Sequence, residues 1–274
     1  MADDPTWDFR NPASKGRVLG VLRNEINKLF ALTDDPTRWH TPTACPGWEF
    51  RDMIGHLIDA TESYLTGFEI AHRGGATPES VGVVGMAQAS DQAARAFRSK
   101  PRDELLARFR DRTDQLLDEF EALSDADWTD LIVPDAYMGP LPAMIIAAGM
   151  LGGSTVHSWD LRQGLGAPHA MAGDAADLLV PFVYLLWWAT ADTARVDVPY
   201  AIGIRTTGRN GGDTRFDVTN EGLQFASANI DSCPAILEFD PATLVLTAYN
   251  RINGGTVRGD HQLATNFRSL FIPI

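Results

Sequence analysis

Two of the six histidines, His56 and His157, occupy positions from which they could do chemistry. His56 follows Ile54 by two residues and precedes Leu57, at the margin of an apolar helical stripe facing a bundle interior rather than water. His157 stands likewise between Val156 and Trp159 in a later long segment. Imidazoles on facing helices of a bundle can grip a divalent metal from inside the core, and imidazole suits zinc, nickel or iron. The same side chains can serve as general bases, or simply as hydrogen-bonded structural residues. Asp59 and Asp160 each follow one of these histidines by three residues and share its helical face. Asp160 is thus a further ligand or an acceptor that orients an imidazole. Cys45 has no basic neighbour in sequence and reads as a buried structural cysteine, with a reactive thiol as the alternative. Arg51 and Arg162, each five residues from a histidine, read as salt-bridged surface groups or as anchors for an anionic ligand. His40, His72, His169 and His261 fall at loops or helix ends and are expected in solvent.

The elements that must carry these residues can be traced along the chain. Asn11 and Pro12 form a helix start, and Leu19, Leu22, Ile26, Leu29 and Phe30 recur at helical spacing up to Asp34-Asp35-Pro36. The proline-rich stretch Thr41 to Gly47 predicts a loop. A second helix is expected from Phe50 to His72, stopped by Gly74-Gly75. Further helices are expected over Met86 to Phe97, from Pro101 to about Leu123, over Ala143 to Gln163 and over Asp174 to Ala194, with Trp128 to Pro142 as a loop. Trp187, Trp188, Phe182 and Tyr184 form an aromatic group suited to a core or a cavity wall. After Arg195 the pattern changes. Ala201 to Thr206, Thr214 to Thr219, Gly222 to Ala226 and Ala235 to Phe239 read as strands separated by turn chemistry. Asp240-Pro241 and Asp260 each open a helix. The predicted fold class is α plus α+β, with a helical bundle at residues 10–195 and a small α+β domain at residues 199–274.

Composition excludes several classes. The chain has 274 residues and a net charge of −13, with no basic run of the kind nucleic-acid binding requires. Two cysteines in separate expected domains make no disulfide framework and suit a reducing cytoplasm. Met1 to Asn11 lacks the charged-then-apolar pattern of a secretory signal. The most apolar stretch, Leu178 to Ala189, is shorter than the roughly 20 residues that a bilayer span needs. A cytoplasmic protein with no membrane or nucleic-acid partner is expected.

The local sequences carry a resemblance. Thr43-Ala-Cys-Pro-Gly-Trp48, then Arg51-Asp52 and His56-Leu57, resembles the first signature of the mycothiol-dependent maleylpyruvate isomerase family of DinB-like bundles. Val156-His157-Ser158-Trp159-Asp160-Leu161, ending in Gly164-Leu165-Gly166, resembles the second. The resemblance covers residue 10 to about 195. Phe239 to Leu244 and Val257 to Ala264 are similar to a sterol-carrier-like C-terminal domain, with Asn250-Arg251 where Gly-Arg is common. The resemblance implies a DinB-like up-down bundle, mycothiol as thiol cofactor, a small electrophilic substrate, and isomerisation or S-transfer by thiolate attack in the bundle cavity. It implies His56 and His157 as ligands of a divalent metal, zinc above all, and with Asp160 from its spacing the catalytic set expected here is His56, His157 and Asp160. One position departs from it. Where the family has a glutamate four residues before the second histidine, this chain has Gly153, which offers no ligand. Metal-free thiol exchange in specialised metabolism, or small-molecule binding without catalysis, are the alternatives that this glycine opens.

Overall fold

The structure, a computed structural model, describes residues 4–166 and 169–273. The first three residues of the acidic N-terminal stretch lie outside it. The chain divides into two compact units, Met1–Met171 and Ala172–Ile274.

The first unit is helical. A short 3-10 turn at Pro12–Ser14, capped by the Asn11 side chain, leads into α1 (Lys15–Thr33). Helix α2 (Phe50–Arg73) ends at Gly74, whose φ of 69° puts it in the left-handed region that glycine tolerates best. Then come α3 (Val83–Ala96), α4 (Arg102–Ala122), the short α5 (Asp125–Asp130) and α6 (Ala143–Gly164). Helix α1 packs on α6 and α4, and α2 packs on α4 and α6, forming a four-helix bundle, with α3 laid against α2. Its core holds Leu22, Leu29, Phe50, Met53, Ile54, Phe68, Phe109 and Phe120, all at most 1% exposed. Each such side chain contributes about 1.5–3 kcal/mol by leaving water.

The stretch expected as a loop between Trp128 and Pro142 is built otherwise. Trp128 closes into α5, donates its indole N–H to the Phe9 carbonyl at 2.8 Å, and is fully buried. Strands β1 (Ile132–Asp135) and β2 (Gly139–Pro142) then pair antiparallel, with Pro134 opposite Pro140. The hairpin tolerates its prolines because β1 and β2 are the only two strands of this sheet, so each keeps one edge that is not a ladder. The Asp135 carboxylate accepts from the Tyr137 and Met138 amides, and Gly139 turns at φ 81°.

The second unit opens with α7 (Gly173–Thr190), followed by β3 (Tyr200–Thr206), β4 (Gly212–Thr219), β5 (Gly222–Ser227), β6 (Ala235–Phe239), α8 (Pro241–Ala248), β7 (Thr256–Gly259) and α9 (His261–Arg268). The sheet order is β5-β4-β3-β6-β7, antiparallel except for the parallel pair β3–β6. Helix α7 thus groups with the strands, although the sequence pattern changes only after Arg195. The reason is aromatic packing. Tyr184 and Trp187 of α7 lie 5.4 and 6.0 Å from the Phe216 ring, and Trp187 stacks on Phe271 at 5.1 Å. Trp188, one step round the helix, is exposed. Among the described residues no helix is long and apolar enough to cross a membrane.

Candidate functional site

The loop before α2 brings Cys45 to the end of α6. It closes on itself through Thr43 N–H donating to the Trp48 carbonyl at 2.9 Å and Trp48 N–H to the Cys45 carbonyl at 3.1 Å. Gly47 makes the turn at φ 79°. Two backbone contacts then lock the loop onto α6. Ala44 N–H donates to the Asp160 carbonyl at 3.1 Å. Gly164 lies so close to Pro42 that a Cβ built there would sit 2.1 Å from the Pro42 oxygen. The N-terminus of α2 is pinned separately. Asp52, fully buried, takes two guanidinium bonds from Arg98 at 2.6 and 2.7 Å and accepts the Glu49 amide at 2.9 Å. Burial acting alone would raise the Asp52 carboxyl, but these bonds outweigh it and hold the group below the usual carboxylate range.

At the resulting junction Asp160, fully buried, is a shared acceptor. Its Oδ2 lies 3.0 Å from His157 Nδ1 and 3.3 Å from Cys45 Sγ. A carboxylate only accepts, so His157 donates from Nδ1, and in the neutral imidazole the lone pair then lies on Nε2. His157 is 9% exposed. The His56 ring meets the His157 ring edge to face, with centroids 4.9 Å apart, and Trp48 lies 5.2 Å from His56 on another side. The Trp48 indole is itself held by Asp91 at 2.8 Å. Sequence reading thus named His56, His157 and Asp160, and the fold brings all three together. Cys45, expected as a buried structural cysteine with a reactive thiol as the alternative, is half-buried and donates its thiol toward Asp160.

Asp59, one turn beyond His56, stays outside this cluster. Burial, aided by Glu62, pushes its carboxyl up. Arg51 pairs with Glu49 at 2.9 Å, as the salt-bridged reading expects, whereas Arg162 is half-buried and donates to the Ser158 carbonyl at 3.1 Å, a backbone contact rather than an ion pair. His169, expected in solvent, is half-buried against the Trp159 ring at 5.2 Å. Two clefts of about 460 and 500 Å³ are lined wholly by the second unit and include none of the sequence-predicted site residues.

The donor chemistry fits a divalent metal, through a set other than the one the resemblance implied. Gly153 supplies no ligand, and a Cβ built on it meets nothing within 4 Å. Among the described residues one group of three donors has mutually close ligand atoms, all within 4.8 Å: Cys45, His157 and Asp160. Thiolate, imidazole and carboxylate are the three ligand types that zinc takes.

A helical bundle with two opposed imidazoles, one of them fixed by a buried carboxylate, followed by a strand-containing unit, defines the architectural class. Residues 19–162, just over half of the chain, match the family model described as the mycothiol maleylpyruvate isomerase N-terminal domain, and the chain belongs to that family. Among solved structures it is similar to the mycothiol-dependent maleylpyruvate isomerase, at 15% identity and a TM-score of 0.61, over 89% of this chain and 92% of that one. A histidine-to-alanine mutant of a mycothiol-dependent maleylpyruvate isomerase matches at 15% identity and a TM-score of 0.59, over the same shares. No curated protein matches.

Proposed function

We propose that this chain is a mycothiol-dependent isomerase or S-transferase acting on a small electrophile, with its reacting centre at His56, His157 and Asp160. Family membership supports the thiol chemistry, and the 3.0 Å contact between His157 Nδ1 and Asp160 carries the proposal. With Nδ1–H committed to Asp160, His157 can take a proton only at Nε2. That is the form a general base needs, and such a base contributes about 10²–10⁴-fold. The buried carboxylate stabilises the imidazolium that results, and the same nitrogen returns the proton at the end of the cycle. His56, edge-on to His157, is the second group able to hold a proton there.

Two opposed imidazoles beside the open space at Gly153 suit a ligand that must surrender a proton on binding. Bound mycothiol would supply a sulfur nucleophile that adds to a conjugated double bond and leaves after rotation about it, or stays attached in S-transfer. A divalent metal, held from His157 with His56 or with Cys45 and Asp160 as further donors, would supply deprotonation of a coordinated thiol. Without it, the His157–Asp160 pair carries thiol activation alone. No nucleic-acid or membrane partner is proposed, and a cytoplasmic setting suits a free thiol cofactor.

The test is to incubate the protein with mycothiol and a panel of conjugated cis-alkenes and alkylating electrophiles, following isomer or thioether by chromatography. Turnover that falls at least 10²-fold in His157→Ala is expected. Saturable mycothiol binding without product would replace this reading with that of a carrier.

A further inference from the structure

We propose that Cys45, His157 and Asp160 together form a divalent-metal site of the zinc class, with Cys45 as a thiolate ligand.

The first argument is metric. Zinc bonds of about 2.3 Å to sulfur and about 2.0–2.2 Å to nitrogen or oxygen place tetrahedral ligands roughly 3.3–3.7 Å apart. The contacts here, 3.0 Å from His157 Nδ1 to Asp160 Oδ2 and 3.3 Å from Cys45 Sγ to the same oxygen, fall just short of those edges. Replacing the two shared protons by one cation opens these two edges by a few tenths of an ångström, and the third, between Cys45 and His157, lies within 4.8 Å. Metal entry then releases the S–H proton, while the Nδ1 proton passes to Nε2 so that His157 stays a neutral ligand, and one thiolate and one carboxylate neutralise a divalent ion.

The second argument is rigidity. His157 and Asp160 sit three residues apart on α6 and face the same way. Cys45 reaches them from a loop fixed to that helix by the Ala44–Asp160 backbone bond and by the close approach of Pro42 to Gly164. A site built from such held elements loses little entropy on binding.

The third argument is ligand count. Three protein donors leave one tetrahedral position for an exogenous group, the pattern of reactive zinc sites. Only this last point rests on the proposed thiol chemistry.

The test uses the full chain without mycothiol or substrate. After removal of metal and reconstitution, one equivalent of zinc is expected by elemental analysis. The cobalt(II) form should show a near-ultraviolet thiolate-to-metal charge-transfer band. Cys45→Ser should abolish the band and weaken zinc binding at least tenfold, whereas His56→Ala should keep both band and stoichiometry. As a check independent of any variant's folding, zinc should slow iodoacetamide alkylation of wild-type Cys45 severalfold and leave Cys233 in denaturant-free protein unaffected. The proposal is overturned by absent metal binding, or by Cys45 alkylating equally fast with and without zinc. It is overturned too if the metal survives in Cys45→Ser and is lost in His56→Ala. Any of these leaves mycothiol turnover at His56 and His157 to be judged by its own assay.

Discussion

Two glycines on one helix make a matched experiment. Gly153 and Gly164 both belong to α6, and alanine in place of helical glycine is worth about 1 kcal/mol by propensity. At Gly153 a Cβ meets nothing within 4 Å, so Gly153→Ala should keep most of that gain. At Gly164 the new Cβ would face the Pro42 oxygen at 2.1 Å, and the contact must open to at least 3.0 Å. The loop or the helix end therefore shifts by about 1 Å. Overpacking of this kind costs about 1–3 kcal/mol, and stretching the Ala44–Asp160 backbone bond adds about 1 kcal/mol. Net of propensity, Gly164→Ala should be less stable than wild type by about 1–3 kcal/mol. Each kcal/mol moves the melting midpoint of a chain of this size by about 2–4 °C. The same shift draws Cys45 away from Asp160, so its thiol should alkylate faster than in wild type. Calorimetry of the two variants, with timed alkylation of Cys45, tests both halves. If Gly164→Ala melts as high as Gly153→Ala and Cys45 reacts no faster than in wild type, the loop is not held as argued.

Three further outcomes follow from individual contacts. Asp160→Asn removes the charged acceptor that fixes His157, so kcat/KM should fall about 10²–10⁴-fold while unfolding free energy drops by only about 1–3 kcal/mol; unchanged turnover would show that His157 is oriented by something else. Asp59 is pushed up by burial and by Glu62, so its ionised form penalises the fold, increasingly as pH rises toward and past its raised folded value and not at all below the unfolded value of about 3.9. Asp59→Asn should accordingly stabilise at pH 7, with the gain vanishing below about pH 4, as read by urea titrations across pH. Asp52 has the opposite sign: held down on balance by Arg98, it contributes stability present above the unfolded value and lost as pH falls through its lowered folded value. Asp52→Asn should lower the urea midpoint at pH 7 and converge with wild type in acid.

Much of the bundle was legible because its signals are local. The stripe Ile54, Leu57, Ile58, Leu65 and Phe68 with a terminal Gly74 predicts α2 to within a residue at its C-terminal end. The β1–β2 hairpin was not legible, because Pro134 and Pro140 read as loop residues and only their mutual pairing makes them strand. Strand β7, four residues long and mostly exposed, has no apolar alternation to reveal it. The membership of α7 in the second unit depends on rings of Phe216 and Phe271, far along the chain. At the site, the i to i+3 spacing announced the His157–Asp160 pair. Nothing near Cys45 announced Asp160, since their contact is a property of the closed bundle.

That contact joins residues 115 positions apart. Drawing together the ends of a segment so long costs on the order of 4 kcal/mol of chain entropy. During synthesis at about 5–20 residues per second, Cys45 precedes Asp160 by roughly 6–23 s. Throughout that interval the growing chain presents a thiol with neither its carboxylate nor its imidazole neighbour. Any disulfide exchange or alkylation of Cys45 in the cell therefore has its widest opening on the ribosome, before α6 exists to cover it.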